Sequence, residues 1–179
     1  MALHTSHGLF TPLFERPFNC LISLTLLLMQ KQISFNFHIT DWHSHKSQLK
    51  PIREQVFIQE QGVPVELEWD DMDENALHVI AEAISDDEIL AIGTARIIIN
   101  NKHAHIGRMA VLPEWREQGI GAKILQLCID ECKKLGVKTI ALNAQVYVLP
   151  FYQKAGFKIS SDEFMDAGIA HKKMTLTFS

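Results

Sequence analysis

The chain has 179 residues, of which 47% are hydrophobic and 21% charged, and its formal net charge is −4. This length and composition are typical of one globular domain, and the acidic balance without a basic stripe argues against a nucleic-acid partner. The three cysteines, Cys20, Cys128 and Cys132, lack the spacing of a disulfide framework or a metal site. We therefore expect a cytoplasmic protein with buried free thiols and no metal.

Residues 1–33 differ in character from the rest of the chain. The run from Cys20 to Met29 is almost entirely apolar, but it is too short to span a bilayer. Neither a basic segment before it nor a small-residue cleavage site after it indicates a signal peptide. We expect residues 1–33 to be an atypical extension, with a native start near Met29, and residues 34–179 to form the domain. The alternative is a membrane-associated or secreted form.

From residue 34 onward, the hydrophobic pattern predicts alternating strands and helices. Alternation over 34–41 predicts a strand, and helical spacing from Leu49 to Glu60 predicts a helix with Pro51 in its first turn. Further strands are expected at 77–84, 89–99, 103–112, 137–144, 157–160 and 171–178, and further helices at 120–135 and 149–154. This order predicts an α/β (α+β) sandwich with a mixed, mostly antiparallel central sheet flanked by helices.

The segment that we call the glycine corner, residues 116–122 (Arg-Glu-Gln-Gly-Ile-Gly-Ala), lies between a predicted strand and a predicted helix. Its two glycines keep side chains away from a helix N-terminus, where unpaired N–H groups and the helix dipole favour phosphate or pyrophosphate. The corner lacks the third glycine and the βαβ unit of a dinucleotide fingerprint, and it lacks the Gly-Lys-Ser/Thr of a P-loop. It therefore predicts a different carrier of phosphate.

In its wider form, segment 111–121 (Val-x-Pro-x-x-Arg-x-x-Gly-x-Gly) resembles the acyl-CoA-binding segment of the GCN5-related N-acetyltransferases, the GNAT family. Segment 151–157 (Phe-Tyr-x-x-x-Gly-Phe) resembles a second marker of that family. The resemblance covers about residues 34–178, and its finer detail is similar to the ElaA-type branch. The residues that carry this detail are Arg53, Val56, Phe57, Glu60, Gln61, Val63, Pro64, Asp70 to Asp73, His78, Asn143, Ala144, Gln145, Phe164, Gly168, Ile169, His171 and Met174.

The resemblance implies a GNAT-like acyl-CoA N-acyltransferase fold with acetyl-CoA as co-substrate. Pyrophosphate oxygens would accept hydrogen bonds from N–H groups of residues 117–122, while Arg116 fixes the loop and adds positive potential. The pantetheine arm would lie against a strand edge that a splayed sheet exposes, and an N–H near Val111 would stabilise the oxyanion. Glu117 departs from many relatives, which have glycine there, so its carboxylate should point to solvent. The implied CoA-binding residues are Met109, Ala110, Val111, Arg116, Glu117, Gln118, Gly119, Ile120, Gly121, Ala122, Asn143 and Tyr152.

The candidate acid is Tyr152, because a phenol is protonated at neutral pH and can protonate the leaving thiolate. The base is left open among His78, His171 and, as a cation-binding carboxylate, Glu60. The acidic cluster Asp70, Asp71, Asp73 and Glu74 either attracts a cationic acceptor or forms a solvated loop. The implied acceptor-binding residues are Glu60, Asp73, His78, Gln145 and His171, whereas His43, His45, His103 and His105 are expected to be exposed strand or turn residues.

Three functional hypotheses remain open from the sequence. The first is an N-acetyltransferase in which a small-molecule amine or an exposed amino group attacks acetyl-CoA directly within a ternary complex. The second is a non-catalytic acyl-CoA-binding protein, and the third is an acyl-homoserine-lactone synthase, to which Arg53-x-x-Val56-Phe57 is faintly similar. No membrane or nucleic-acid partner is expected, and a homodimer is left open.

Overall fold

The computed structural model describes residues 32–86 and 88–178. The predicted N-terminal extension, apart from its last two residues, lies outside the described residues, as does Cys20. Seven strands form one sheet in the order β1-β2-β3-β4-β5-β7-β6, and β4–β5 is its parallel pair. The strands are β1 (Ser34–Thr40), β2 (Leu77–Ser85), β3 (Glu88–Asn100), β4 (His103–Val111), β5 (Thr139–Gln145), β6 (Lys158–Asp166) and β7 (Ile169–Thr177).

In the described part of the chain four α-helices flank this sheet, which confirms the predicted fold class. They are α1 (Trp42–Arg53), α2 (Val65–Glu68), α3 (Ile120–Lys134) and α4 (Leu149–Lys154). Helix α1 continues as a π-helical segment over Glu54–Glu60. Helix α3 packs on one face of the sheet so closely that a Cβ on Gly93 would lie 2.8 Å from Ile124 Cδ1. A larger residue at that position would require the Ile124 side chain to shift, and its Cβ would lie 3.2 Å from the Ala110 carbonyl oxygen.

Two predicted element bounds were wrong. Helix α1 starts at Trp42, where Asp41 caps it by accepting a hydrogen bond from the Ser44 N–H at 2.9 Å, so Pro51 lies inside the helix and not in its first turn. The cap signal precedes the apolar spacing on which the prediction was based. The closing strands β6 and β7 are also longer than expected, because they run up to a two-residue turn at Ala167-Gly168 with φ values of 46° and 78°.

The core between α3 and the sheet includes both described cysteines. Cys128 and Cys132 are each 0% exposed. Burial raises the pKa of Cys132 to about 11 and that of Cys128 further, so both thiols stay protonated at neutral pH. They pack as small hydrophobic side chains, as expected.

The sheet opens between its two middle strands. In the described chain, β4 and β5 pair over His103–His105 and Thr139–Ala141, and the remainder of each strand diverges from the other. On its other edge β4 carries a bulge opposite β3, where Arg108 has a φ of 51°. The divergence supplies the splay that the family resemblance implies and leaves an unpaired edge of β4 beside a gap.

Candidate active site

A cleft of about 760 Å³ occupies the gap between β4 and β5 and extends to the N-terminus of α3. It brings together most of the residues singled out from the sequence. These are Met109, Ala110, Val111, Arg116, Glu117, Gly119, Ile120, Gly121, Ala122, Asn143 and Tyr152 from the CoA set, and Glu60, Gln145 and His171 from the acceptor set. Gln118, Asp73 and His78 are not among the lining residues.

The glycine corner turns the chain so that its backbone faces the cleft. Glu117 and Gly119 have φ values of 63° and 80°, and Gly119 is the N-cap of α3. Left-handed residues next to a helix start form a concave nest of N–H groups, to which the helix dipole adds positive potential. The Glu117 side chain is exposed, in keeping with a carboxylate that points to solvent. The corner therefore offers backbone donors for an anion.

Arg116 ties the corner to two other parts of the molecule. Its Nε donates to the Val111 carbonyl at 3.0 Å, and Nη1 and Nη2 donate to the two Glu60 carboxylate oxygens at 2.7 and 2.6 Å. This hydrogen bonding lowers the pKa of Glu60 and raises that of Arg116. Glu60 lines the cleft, and its carboxylate is paired with Arg116. That Glu60 binds a cationic acceptor stays a prediction.

The backbone of β4 directs alternate groups into the gap. The Leu112 N–H donates to Ile92 of β3 at 2.9 Å. Because backbone groups alternate along a regular strand, the N–H group of Val111 faces the opposite edge, toward the gap. The Val111 carbonyl lies on that same side, where Arg116 Nε donates to it. The unpaired edge thus provides an N–H donor at Val111 on the cleft side of the strand.

The Tyr152 ring is packed between Phe151 and Phe157, with ring centroids 4.9 and 6.1 Å away. Its hydroxyl donates to a sulfur atom, Met109 Sδ, at 3.7 Å. Burial raises the pKa of Tyr152 to about 12, so the phenol is a hydrogen-bond donor throughout the neutral range. A proton donor is therefore fixed beside the unpaired edge of β4.

His171 lies across the cleft on β7 and has a defined tautomer. Its Nδ1 is 2.8 Å from the Ile169 carbonyl oxygen, which can only accept, so Nδ1 carries a proton. The ring stacks on Phe164 with 6.0 Å between centroids. Within the described part of the chain Nε2 has no hydrogen-bond partner. An oriented imidazole thus lines the cleft.

Sequence reasoning missed His105, which it placed among the exposed strand residues. This side chain is half-buried and lines the cleft at the last β4–β5 pair. Burial lowers its pKa, and nearby Arg96, Lys173 and Arg108 lower it further. The sequence signal that could have identified His105 was its position between Ala104 and Ile106, which are buried on one face of β4. If the sheet is covered on both faces, a residue on the opposite face of the strand is not exposed to solvent.

His78 and Asp73 were predicted at the acceptor, and the structure corrects both. His78 is 1% exposed, and its Nε2 donates to the Asp73 backbone carbonyl at 3.0 Å. The Asp73 carboxylate accepts from Arg53 Nη1 at 2.7 Å and from Arg96 Nη1 at 2.9 Å. Burial lowers the pKa of His78, which keeps it neutral. Both residues support the fold and do not reach the cleft.

Asp70 and Asp73 of the acidic cluster belong to a largely buried ion-pair network. The cluster is therefore not a wholly solvated loop, and these two carboxylates are not free to attract a cationic acceptor. Asp70 joins Arg96 and Arg108, and Glu68 joins Arg53 and Arg108. Burial raises the pKa of Glu68, whereas hydrogen bonds and charge from Arg96 outweigh desolvation and lower that of Asp70. Asp71 and Glu74 are the members that remain exposed. The charge at this position is largely cancelled within the protein.

Within residues 32–86 and 88–178, no group of three or more His, Cys, Asp or Glu side chains is arranged to hold a metal ion. No helix in that part of the chain is long and apolar enough to cross a membrane.

Comparison with known proteins decides the family. Residues 44–178 match the model of the acetyltransferase (GNAT) domain. The chain belongs to the GNAT family. This confirms the predicted family, and the chain is accordingly an acyltransferase that draws acyl groups from acyl-CoA.

Individual relatives agree with this assignment. The chain is 34% identical over 124 residues to the uncharacterised N-acetyltransferase YjcF of Bacillus subtilis, covering 69% of this chain and 86% of YjcF. The crystal structure of Escherichia coli ElaA matches with a TM-score of 0.69 at 22% identity, covering 79% of this chain and 99% of ElaA. A Bacillus subtilis acetyltransferase in complex with CoA matches with a TM-score of 0.59 at 18% identity, covering 82% of this chain and 100% of that one.

Proposed function

We propose that this GNAT protein transfers an acetyl group from acetyl-CoA to the amine of a small molecule, by direct attack within a ternary complex. The observation that carries the proposal is one continuous cleft that joins the glycine corner to the gap between β4 and β5. The corner would bind the pyrophosphate through the N–H groups of residues 117–122. The gap would hold the pantetheine arm against Met109-Ala110-Val111, as an added strand binds a sheet edge.

The β4 edge also supports a site for the oxyanion. When an amine attacks the thioester, negative charge develops on the carbonyl oxygen. The N–H group of Val111 faces the gap at this point, and it is fixed by the pairing of β4 with β3 on either side of it. A fixed donor stabilises developing charge without reorganisation. We assign the oxyanion interaction to the Val111 N–H group.

Tyr152 would act on the leaving sulfur. Its hydroxyl already donates to one sulfur atom, Met109 Sδ, and the thiolate of CoA would take that position as a stronger acceptor. The pKa of about 12 makes complete proton transfer unfavourable, because a thiol has a pKa of roughly 8.5. Tyr152 would therefore stabilise the thiolate chiefly by donating a hydrogen bond.

His171 would take the proton from the acceptor ammonium. The Ile169 carbonyl holds Nδ1–H, so the Nε2 lone pair is available in the cleft. A neutral imidazole is the ordinary protein base near neutral pH. Gln145, which is hydrogen-bonded to Gln61 at 3.0 Å, would close the cleft beside it.

Acetyl-CoA-dependent thiol release over a panel of amines, with mass spectrometry of the acetylated product, tests this function. Tyr152→Phe should lower kcat about 100-fold and leave the KM for acetyl-CoA nearly unchanged, because the lost hydrogen bond forms in the transition state. His171→Gln should cause a loss that shrinks as pH rises and the amine deprotonates by itself. His103→Gln, an exposed histidine, is the control. Stabilisation by CoA with no amine acetylated would favour the non-catalytic binder instead.

A further inference from the structure

The face of the sheet that packs against α1 forms the part of the cleft that we call the acceptor end, marked by His105, Arg108 and His171. The cationic side chains near His105 are Arg96, Lys173 and Arg108. Arg96 is balanced by Asp70 and Asp73, and Arg108 is the one of the three that lines the cleft. A guanidinium edge that faces a cleft is suited to binding a carboxylate.

The carboxylates near this end are mostly committed to protein partners. Glu68 is 2% exposed and pairs with Arg53 and Arg108. Glu60 is held by both terminal nitrogens of Arg116. Asp166 lines the cleft as an exposed residue at the end of β6. Of these carboxylates, Asp166 alone has no hydrogen-bond or ion-pair partner within residues 32–86 and 88–178, and it lies beside the hairpin turn.

Arg108 is oriented so that one edge of its guanidinium remains for a ligand. Nε lies 2.9 Å from a Glu68 carboxylate oxygen, and Nη2 donates to the Leu67 carbonyl at 3.0 Å and to the Glu68 carbonyl at 3.1 Å. Nη1 has no partner among the described residues. The side chain is 25% exposed and lines the cleft. Its bulged backbone and these bonds hold the group in place before any ligand binds.

We propose that the acceptor is an amine that also carries a carboxylate, of the amino-acid class, and that Arg108 Nη1 binds this carboxylate as a specificity-determining contact. The proposal rests on the proposed acetyltransferase function. It predicts that the anionic group is bound on the β4 side while the amine faces His171 across the cleft. Because Arg108 is already oriented, little side-chain entropy is lost on binding.

Matched ligand pairs test the proposal without requiring turnover. The CoA-bound protein is titrated by calorimetry with phenylalanine and phenethylamine, tyrosine and tyramine, leucine and isoamylamine, and with the N-acetyl form of each. We expect the best carboxylate-bearing member to bind at least about tenfold more tightly than its partner, as one charge-assisted hydrogen bond allows. Spermidine should bind more weakly still. Equal binding, a preference for the decarboxylated amines, or no binding by any pair would overturn the proposal.

Two variants assign the preference to Arg108. Arg108→Gln should bring the ratio of the two affinities in each ligand pair close to one, and Arg108→Lys should retain part of the preference, because lysine keeps a point charge. Lys172→Gln is the control and should leave the ratio unchanged, because Lys172 lies on the opposite face of β7 from His171. CoA affinity and thermal melting report whether each variant is folded. A ratio that persists in folded Arg108→Gln would overturn the assignment. Turnover without preference would contradict this proposal alone, whereas preference without any turnover would contradict the proposed function alone.

Discussion

The glycine corner and the acidic cluster are both short, conspicuous segments, yet only the first has the geometry that its sequence predicts. The corner presents backbone N–H groups, and its shape follows from the left-handed residues Glu117 and Gly119 and the start of α3. The cluster works through side-chain charges. A charge seen in a sequence has no definite effect until the residues that face it are known.

The partners of the cluster come from three separate elements. Arg53 lies in α1, Arg96 in β3 and Arg108 in β4, and each pairs with a carboxylate between residues 68 and 73. Together the three guanidinium groups balance Glu68, Asp70 and Asp73. What reads as an acidic patch in sequence is therefore close to neutral inside the protein, while its outermost arginine presents positive charge to the cleft.

The largest expected effect tests whether the network supports the fold. Arg53 is 0% exposed and holds both Glu68 and Asp73. Arg53→Met should lower the free energy of unfolding by about 3–5 kcal/mol, because it leaves buried carboxylates short of a partner. Glu60→Gln, which removes an exposed ion pair, should cost less than about 1 kcal/mol. Urea denaturation with comparable slopes measures both. Similar losses of unfolding free energy in Arg53→Met and Glu60→Gln would show that the buried network supports the fold no more than the exposed ion pair at the glycine corner.

The order of strands and helices was predictable because it depends on local periodicity. The part of the cleft to which we assign CoA was also predictable as a set of neighbouring residues, since they lie within one stretch from Met109 to Ala122 and a second around Tyr152. The start of α1 was missed because a capping residue, Asp41, and not the apolar spacing, sets it. His105 and Arg108 were misjudged or missed because residues distant in sequence surround them, including Arg96 and Lys173 around His105 and Glu68 and Asp70 around Arg108. His78 was misjudged because its burial and its bond to the Asp73 carbonyl depend on how the loop folds back.

The second-largest expected effect is a loss of CoA affinity caused by a substitution in the glycine corner that leaves the stability of the protein unchanged. A Cβ on Gly121 would lie 3.7 Å from Met109 Cε and 3.8 Å from Phe151 Cζ, which are ordinary contacts. Gly121→Leu should therefore fold at least as well as the parent, since glycine is a poor helix former. Its side chain would project into the cleft and weaken CoA binding about 100-fold or more. Gln126→Leu, on the exposed side of α3, is the matched control, and calorimetry gives both affinities. Undiminished affinity in Gly121→Leu would place CoA elsewhere.

The smallest effect separates backbone shape from charge within the corner itself. Glu117 combines a left-handed φ of 63° with a carboxylate near the proposed pyrophosphate site. Glu117→Gln removes the charge and keeps the strained backbone, so CoA affinity should rise a few-fold with stability unchanged. Glu117→Gly removes both, and it should add about 1 kcal/mol or less of stability, because glycine adopts this conformation without steric cost. Raising the salt concentration should shrink the gain in Glu117→Gln, since salt screens exposed charge. If both variants bound CoA like the parent, the anion would lie farther from residue 117 than the nest geometry requires. The glycine corner would then differ from the acidic cluster in structure but not in ligand binding.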